Sequence, residues 1–111
     1  MRYAWVVTSS WVEGPEDKEG AVFGQETEIF VSGPRNASDE MIAAAASNGY
    51  PFKMYDDDGN KYYEGKCWTA DPEGFGGEEF FGPLRDFGTP NSGCTYITYP
   101  ANGKTGKYET L

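Results

Sequence analysis

Residues 2–8 are mostly apolar and mix aromatic with β-branched side chains, the pattern of a strand buried on most of both faces. Such a strand belongs inside a sheet. Residues 9–24 turn to Gly, Pro and charge, centred on Glu13-Gly14-Pro15-Glu16-Asp17-Lys18-Glu19-Gly20, and predict an exposed mobile loop whose start is tethered by Trp11 and Val12. Residues 26–32 alternate acidic and apolar side chains, run through Ile29-Phe30-Val31 and meet Gly33-Pro34, so a second strand stops there at a turn.

The next rhythm is helical. Ser38 is a good N-cap, Asp39 and Glu40 set negative charge against the positive end of the helix dipole, and residues 41–46 are strong helix formers apart from Ile42. Asn48-Gly49 predicts a left-handed stop, and Pro51 prevents continuation. A helix of about ten residues is unstable alone, but its alanine run lets it approach a sheet closely.

Residues 52–55 and 61–68 then flank Asp56-Asp57-Asp58-Gly59-Asn60, and Asp-Gly between apolar alternations predicts a hairpin. Residues 69–93 begin Gly-rich and acidic, yet they contain Phe75, Phe80, Phe81, Leu84 and Phe87. Disordered segments carry few aromatics, so the stretch predicts an ordered excursion packed onto the body by its rings. Residues 94–99 form a β-branched and aromatic strand closed by Pro100, and residues 105–111 a last edge strand. The fold class expected is α+β. It is a single domain over residues 1–111, a twisted antiparallel sheet of five or six strands, open or rolled into a partial barrel, with one short helix across it.

Charge narrows the partners. Nine Lys and Arg stand against 18 Asp and Glu, a formal charge of −9, which opposes direct binding to nucleic acid phosphates or anionic membranes. A protein partner would be basic or neutral; the oligomeric state is left open. The chain has no His, so the usual neutral-pH base, the commonest metal ligand and every imidazole triad are missing. The N-terminal apolar stretch is too short for a secretion signal, and no segment has the ~20 apolar residues of a membrane span, so a soluble, cytoplasmic protein is expected. In that compartment Cys67 and Cys94 are expected as free thiols, although the sequence alone does not decide whether they pair.

Candidate chemistry is sparse. Asp56, Asp58 and Asn60 have the spacing of calcium-loop ligands, but position six is Lys61 instead of Gly and position twelve is not Glu, so these residues read as turn formers and no metal site is assigned. Gly74-Phe75-Gly76-Gly77 lacks the strand and helix context of a phosphate loop, and Glu78-Glu79 would repel phosphate. Neither cysteine has an imidazole partner, and carboxylates such as Glu78, Glu79 and Asp86 read first as a solvated face. No catalytic residue and no cofactor are assigned.

Two motifs carry a resemblance: residues 52–65, FKMYDDDGNKYYEG, and residues 82–95, GPLRDFGTPNSGCT. With Tyr3-Ala4-Trp5-Val6-Val7-Thr8 and Gly33-Pro34-Arg35, they resemble a group of small proteins found in actinobacterial genomes and their phages. The resemblance implies origin and compartment, with phage or mobile-element biology as the setting, and no mechanism. This chain departs from the group in its longer acidic stretches at 13–28 and 70–80.

Recognition is the remaining function class. Aromatics exceed what one small core needs, and Tyr and Trp are common interface anchors. The reading favoured by the sequence is a non-enzymatic protein-binding domain that docks through Phe75, Phe80, Phe81, Leu84, Asp86 and Phe87, with Tyr55 and Tyr63 of the adjoining hairpin. One alternative is an acidic mimic of nucleic acid that inhibits a nucleic-acid-binding enzyme, its face built from Glu13, Glu16, Asp17, Glu19, Glu26, Glu28, Asp71, Glu73, Glu78 and Glu79. The other is a small enzyme using carboxylates, Tyr and a metal ion. Against the mimic stands the simpler reading that the charge serves solubility.

Overall fold

Strand β1 (Tyr3–Glu13) shows why residues 3–7 are continuously apolar: Tyr3, Trp5 and Val7 join one buried cluster and Ala4 and Val6 another, on opposite faces of a sheet. The computed structural model describes residues 3–13, 22–70 and 78–111. Its sheet has six antiparallel strands in the order β2-β1-β4-β3-β5-β6, with β2 (Val22–Gly33), β3 (Tyr50–Tyr55), β4 (Lys61–Thr69), β5 (Tyr96–Pro100) and β6 (Tyr108–Thr110). As expected, β1 is interior, hydrogen-bonded to β2 and β4. The sheet stays open, with β2 and β6 at its two edges, so the partial-barrel alternative does not hold.

Of the loop expected over residues 9–24, residues 9–13 and 22–24 are strand, and residues 14–21 lie outside the described residues. β1 runs on to Glu13 and β2 starts at Val22, because Ser9 and Ser10 find ladder partners on both sides, Glu28 and Thr27 on β2 and Glu64 and Tyr63 on β4. Pairing on two sides overrides weak local propensity. Ser9 also donates its hydroxyl to Glu26 Oε2 at 2.6 Å.

Helix α1 (Asp39–Asn48) covers the face bearing Ala4 and Val6, with Ala45 fully buried between them. Ser38 Oγ accepts from the Met41 backbone N–H at 3.2 Å, the expected cap. Its end differs from expectation. Gly49 is extended, with φ −67° and ψ 162°, and not left-handed. The position needs Gly for proximity instead, since a Cβ there would overlap the Ala45 carbonyl oxygen and lie 2.8 Å from Lys66 Cβ. The helix's final carbonyls are met by lysines from elsewhere: Lys66 Nζ donates to Ala46 O at 3.3 Å, and Lys104 Nζ to Asn48 O and Gly49 O.

The β3–β4 hairpin is the one the sequence predicts. Gly59 takes φ +81°, and Asp56 Oδ1 accepts from the backbone N–H groups of Asp58 and Asn60, both at 2.9 Å. Asp56 Oδ2 accepts from Asn60 Nδ2 and the Tyr62 hydroxyl. Burial opposes the charge on Asp56, but these bonds outweigh it and hold its carboxyl below the ordinary value. The carboxylate is committed to its own turn. At Gly65 of β4 a Cβ would overlap the Val6 carbonyl oxygen and lie 2.8 Å from Phe52 Cζ, whose ring fills the vacant space.

The second face carries the larger core, Tyr3, Trp5, Phe52, Met54, Tyr63, Ile97 and Tyr99 among its members, under the segment that follows β4. That segment adds to the one helix expected a 3₁₀ turn (Glu78–Phe81), a π-helical turn (Leu84–Gly88) and a short α2 (Thr89–Ser92). The excursion is ordered and ring-packed, as predicted, across its described part. Phe80 is fully buried, edge-on to Tyr99 with centroids 5.4 Å apart, and the Tyr99 hydroxyl donates to Phe80 O at 2.6 Å. Cys67 and Cys94 are free buried thiols, each pushed up to about 12 chiefly by burial. Among the described residues no helix is long and apolar enough to cross a membrane.

Candidate functional site

The site begins with irregularity in β2. Val7 pairs with Val31 and Ser9 with Glu28, so two β2 residues, Ile29 and Phe30, stand opposite Thr8 alone. A second shift falls between Ser10 and Val12, whose partners are Thr27 and Phe23. Bulges bend a strand and re-aim its side chains. Ile29 and Val31 pack against the large core, while Phe30 stays 62% exposed, the one large apolar side chain left so among the described residues.

Beside this bulge is a groove of about 390 Å³. The sheet contributes Ser10, Thr27, Ile29, Val31 and Tyr63, with Phe30 at the same place, and the excursion contributes Phe87 and Asn91. Asp86 holds the excursion there. Its Oδ2 accepts from the Tyr3 hydroxyl at 2.5 Å and from Trp5 Nε1 at 3.1 Å, tying the π-helical turn to β1. Burial, and next the bond to Asp86, raise the Tyr3 pKa above its ordinary value, so the phenol stays a donor. Phe87 then packs on Trp5 at 5.5 Å and edge-on to Tyr63 at 4.9 Å, and the hydroxyls of Tyr63 and Ser92 bond at 2.5 Å. Asn91 Nδ2 donates to Phe87 O at 2.9 Å. The wall is therefore pre-organised by bonds on both its flanks.

The lining is apolar with neutral polar groups, a surface suited to holding a side chain by packing and a few hydrogen bonds. Two carboxylates of the excursion have structural work. Asp86 is the clamp, and Glu79 accepts from Thr69 Oγ1. Among the described residues no three His, Cys, Asp or Glu side chains group as metal ligands would.

The structure sorts the residues singled out by sequence. Phe87 and Tyr63 meet at the groove. Phe80 is corrected from dock to core, because its ring has no exposed area to offer a partner. Phe81 and Leu84 are partly buried against that core, and Asp86 acts as the clamp. Tyr55 alternates with the buried Met54 and stacks on Tyr96 at 5.1 Å, facing away from the groove. Of the acidic face, Glu26, Glu28 and Glu78 are exposed and Glu79 is half-buried. Phe75, Glu16, Asp17, Glu19, Asp71 and Glu73 lie outside the described residues, and Glu13 is described by its backbone alone.

Sequence reasoning missed Phe30, Ile29, Val31, Ser10, Thr27 and Asn91. One signal was present. The alternation of residues 26–32 breaks at Ile29-Phe30-Val31, three apolar side chains in succession, which a bulged edge strand accommodates. Compared with protein-family models, curated proteins and solved structures, the chain shows no significant match to any of them.

Proposed function

We propose that this chain is a non-enzymatic protein-binding domain and that the groove between β2 and the helical excursion is its contact surface. Phe30 carries the reading. A large ring left 62% exposed forgoes much of the roughly 1.5–3 kcal/mol that burying a Phe supplies, and a partner covering it recovers that energy. The excursion serves as a wall of the groove, through Phe87 and Asn91, in place of the projecting aromatic dock its sequence suggests. The absence of His and the structural engagement of Asp56, Glu79 and Asp86 favour binding over catalysis. With −9 net charge, the partner's surface is basic or neutral. Two buried free thiols suit a reducing compartment, so we place the protein in the cytoplasm, and the motif resemblance suggests an actinobacterial or phage setting.

A photo-crosslinking amino acid placed at position 30, with position 55 on the opposite face as control, tests this in a host cell lysate. A partner crosslinked from position 30 and not from position 55, and lost with Phe30→Glu, is the expected result. Crosslinks from neither position, or equally from both, would overturn it. The acidic-mimic alternative rests on exposed Glu26 and Glu28. It predicts a complex indifferent to Phe30→Glu that dissociates by about 0.5 M salt, whereas an apolar dock holds.

A further inference from the structure

Resting on the groove as the contact surface, we infer that its occupant is a turn or helix of a partner protein that inserts large apolar side chains and carries Lys or Arg beside them. Strand addition to β2 is the competing mode, because β2 is an edge strand and edges template pairing. Its backbone argues against that mode. An added strand needs a regular row of N–H and C=O groups, and β2 is interrupted opposite Thr8 and again between Thr27 and Phe23. The longest regular run between the interruption at Ile29 and Phe30 and the strand's end is Val31–Gly33, too short a ladder to hold a partner. The same bulge that spoils the edge puts Ile29, Phe30 and Val31 together at the groove, so side chains offer what the backbone withholds.

Volume sets the size of what enters. About 390 Å³ is near the lower end of ligand pockets, room for about one or two large side chains and not for a length of chain. Charge sets what stands beside them. No carboxylate or cation lines the groove, and the exposed Glu26 and Glu28 lie on the other face of β2 from Thr27, so it is the chain's −9 formal charge that favours an occupant carrying Lys or Arg.

A displayed random library of peptides about 12 residues long, panned on the full chain and counter-selected on Phe30→Glu, tests this occupant. Phe30 is exposed, so the variant is expected to fold, and the substitution Phe30→Ala provides a second counter-selection. Enriched sequences should combine an aromatic, Leu, Ile or Met with Lys or Arg within a helical turn. Exchanging each such base for Gln should weaken binding about 2- to 5-fold. Bound peptide should shift the amide resonances of residues 27–31, 63, 87 and 91 without adding exchange protection along β2. Acidic sequences, alternating β-branched sequences that newly protect β2 amides, or no Phe30-dependent sequence at all would overturn the inference. The two readings fail separately: a missing crosslink from position 30 removes the groove as the contact surface, whereas a crosslink with strand-type or acidic selections removes only this occupant.

Discussion

Removing the Asp86 carboxylate should loosen the wall of the groove and destabilise the whole domain. In Asp86→Ala the Tyr3 hydroxyl and Trp5 Nε1 lose the acceptor they share at 2.5 and 3.1 Å, and both donors sit on side chains less than a tenth exposed. Hydrogen bonds to a charged group contribute about 1.5–3 kcal/mol each, and the carboxylate's partial exposure lets water replace some of this, so the net loss should be about 3 kcal/mol. Against the 5–15 kcal/mol typical of such domains, that is a large share. Urea unfolding followed by Trp fluorescence should show the midpoint falling by roughly 1.5–2 M with little change in slope. Asp86→Asn keeps one acceptor oxygen and should lose about half as much. Tyr3→Phe in a double-mutant cycle with Asp86→Ala should reveal about 1–2 kcal/mol of coupling. Asp86→Ala within about 0.5 kcal/mol of the parent, or strict additivity with Tyr3→Phe, would refute the clamp.

Three further outcomes follow from the same geometry. Gly65→Ala should cost more than about 3 kcal/mol in urea or thermal melts, because the new Cβ overlaps the Val6 carbonyl oxygen and presses on Phe52 with no flexible neighbour to yield. Stability should fall as pH rises from about 9 towards 12: unfolded thiols ionise first while buried Cys67 and Cys94 keep their protons, so the native state binds more protons in that window. The slope approaches about 1.4 kcal/mol per pH unit per thiol, and urea midpoints in Cys67→Ala and Cys94→Ala should flatten accordingly. Below pH 9 both thiols should react with a disulfide reagent far more slowly in the native protein than in urea, and equal rates would contradict their burial.

Local elements were largely legible in the sequence. The Ser38 cap needs only a side-chain oxygen at the start of a helix, and the Asp56–Gly59 turn needs only a short acceptor and a residue free to take positive φ. Both arise within a few residues. The fate of Gly49 was not legible, because beyond the Ala45 carbonyl its crowding comes from Lys66 and Cys67, which meet it only after β4 docks beside the helix. Phe80 and Phe30 show the same division in reverse. In sequence Phe80 follows two glutamates and stood out as a dock, while Phe30, between Ile29 and Val31, passed as strand filler. Tyr99 on β5 buries the first, and a register slip against β1 exposes the second.

The sequence by itself determined the alternation, the cap, the turns and the acidity, because each depends on contacts between near neighbours or on composition. Only the tertiary structure decided that the sheet stays open, that Asp86 clamps the excursion to β1, and that the groove forms beside a bulged edge. Those features depend on register between strands and on pairs more than 80 residues apart, Tyr3 with Asp86 and Trp5 with Asp86. Register is a property of the assembled sheet, and no single strand carries it.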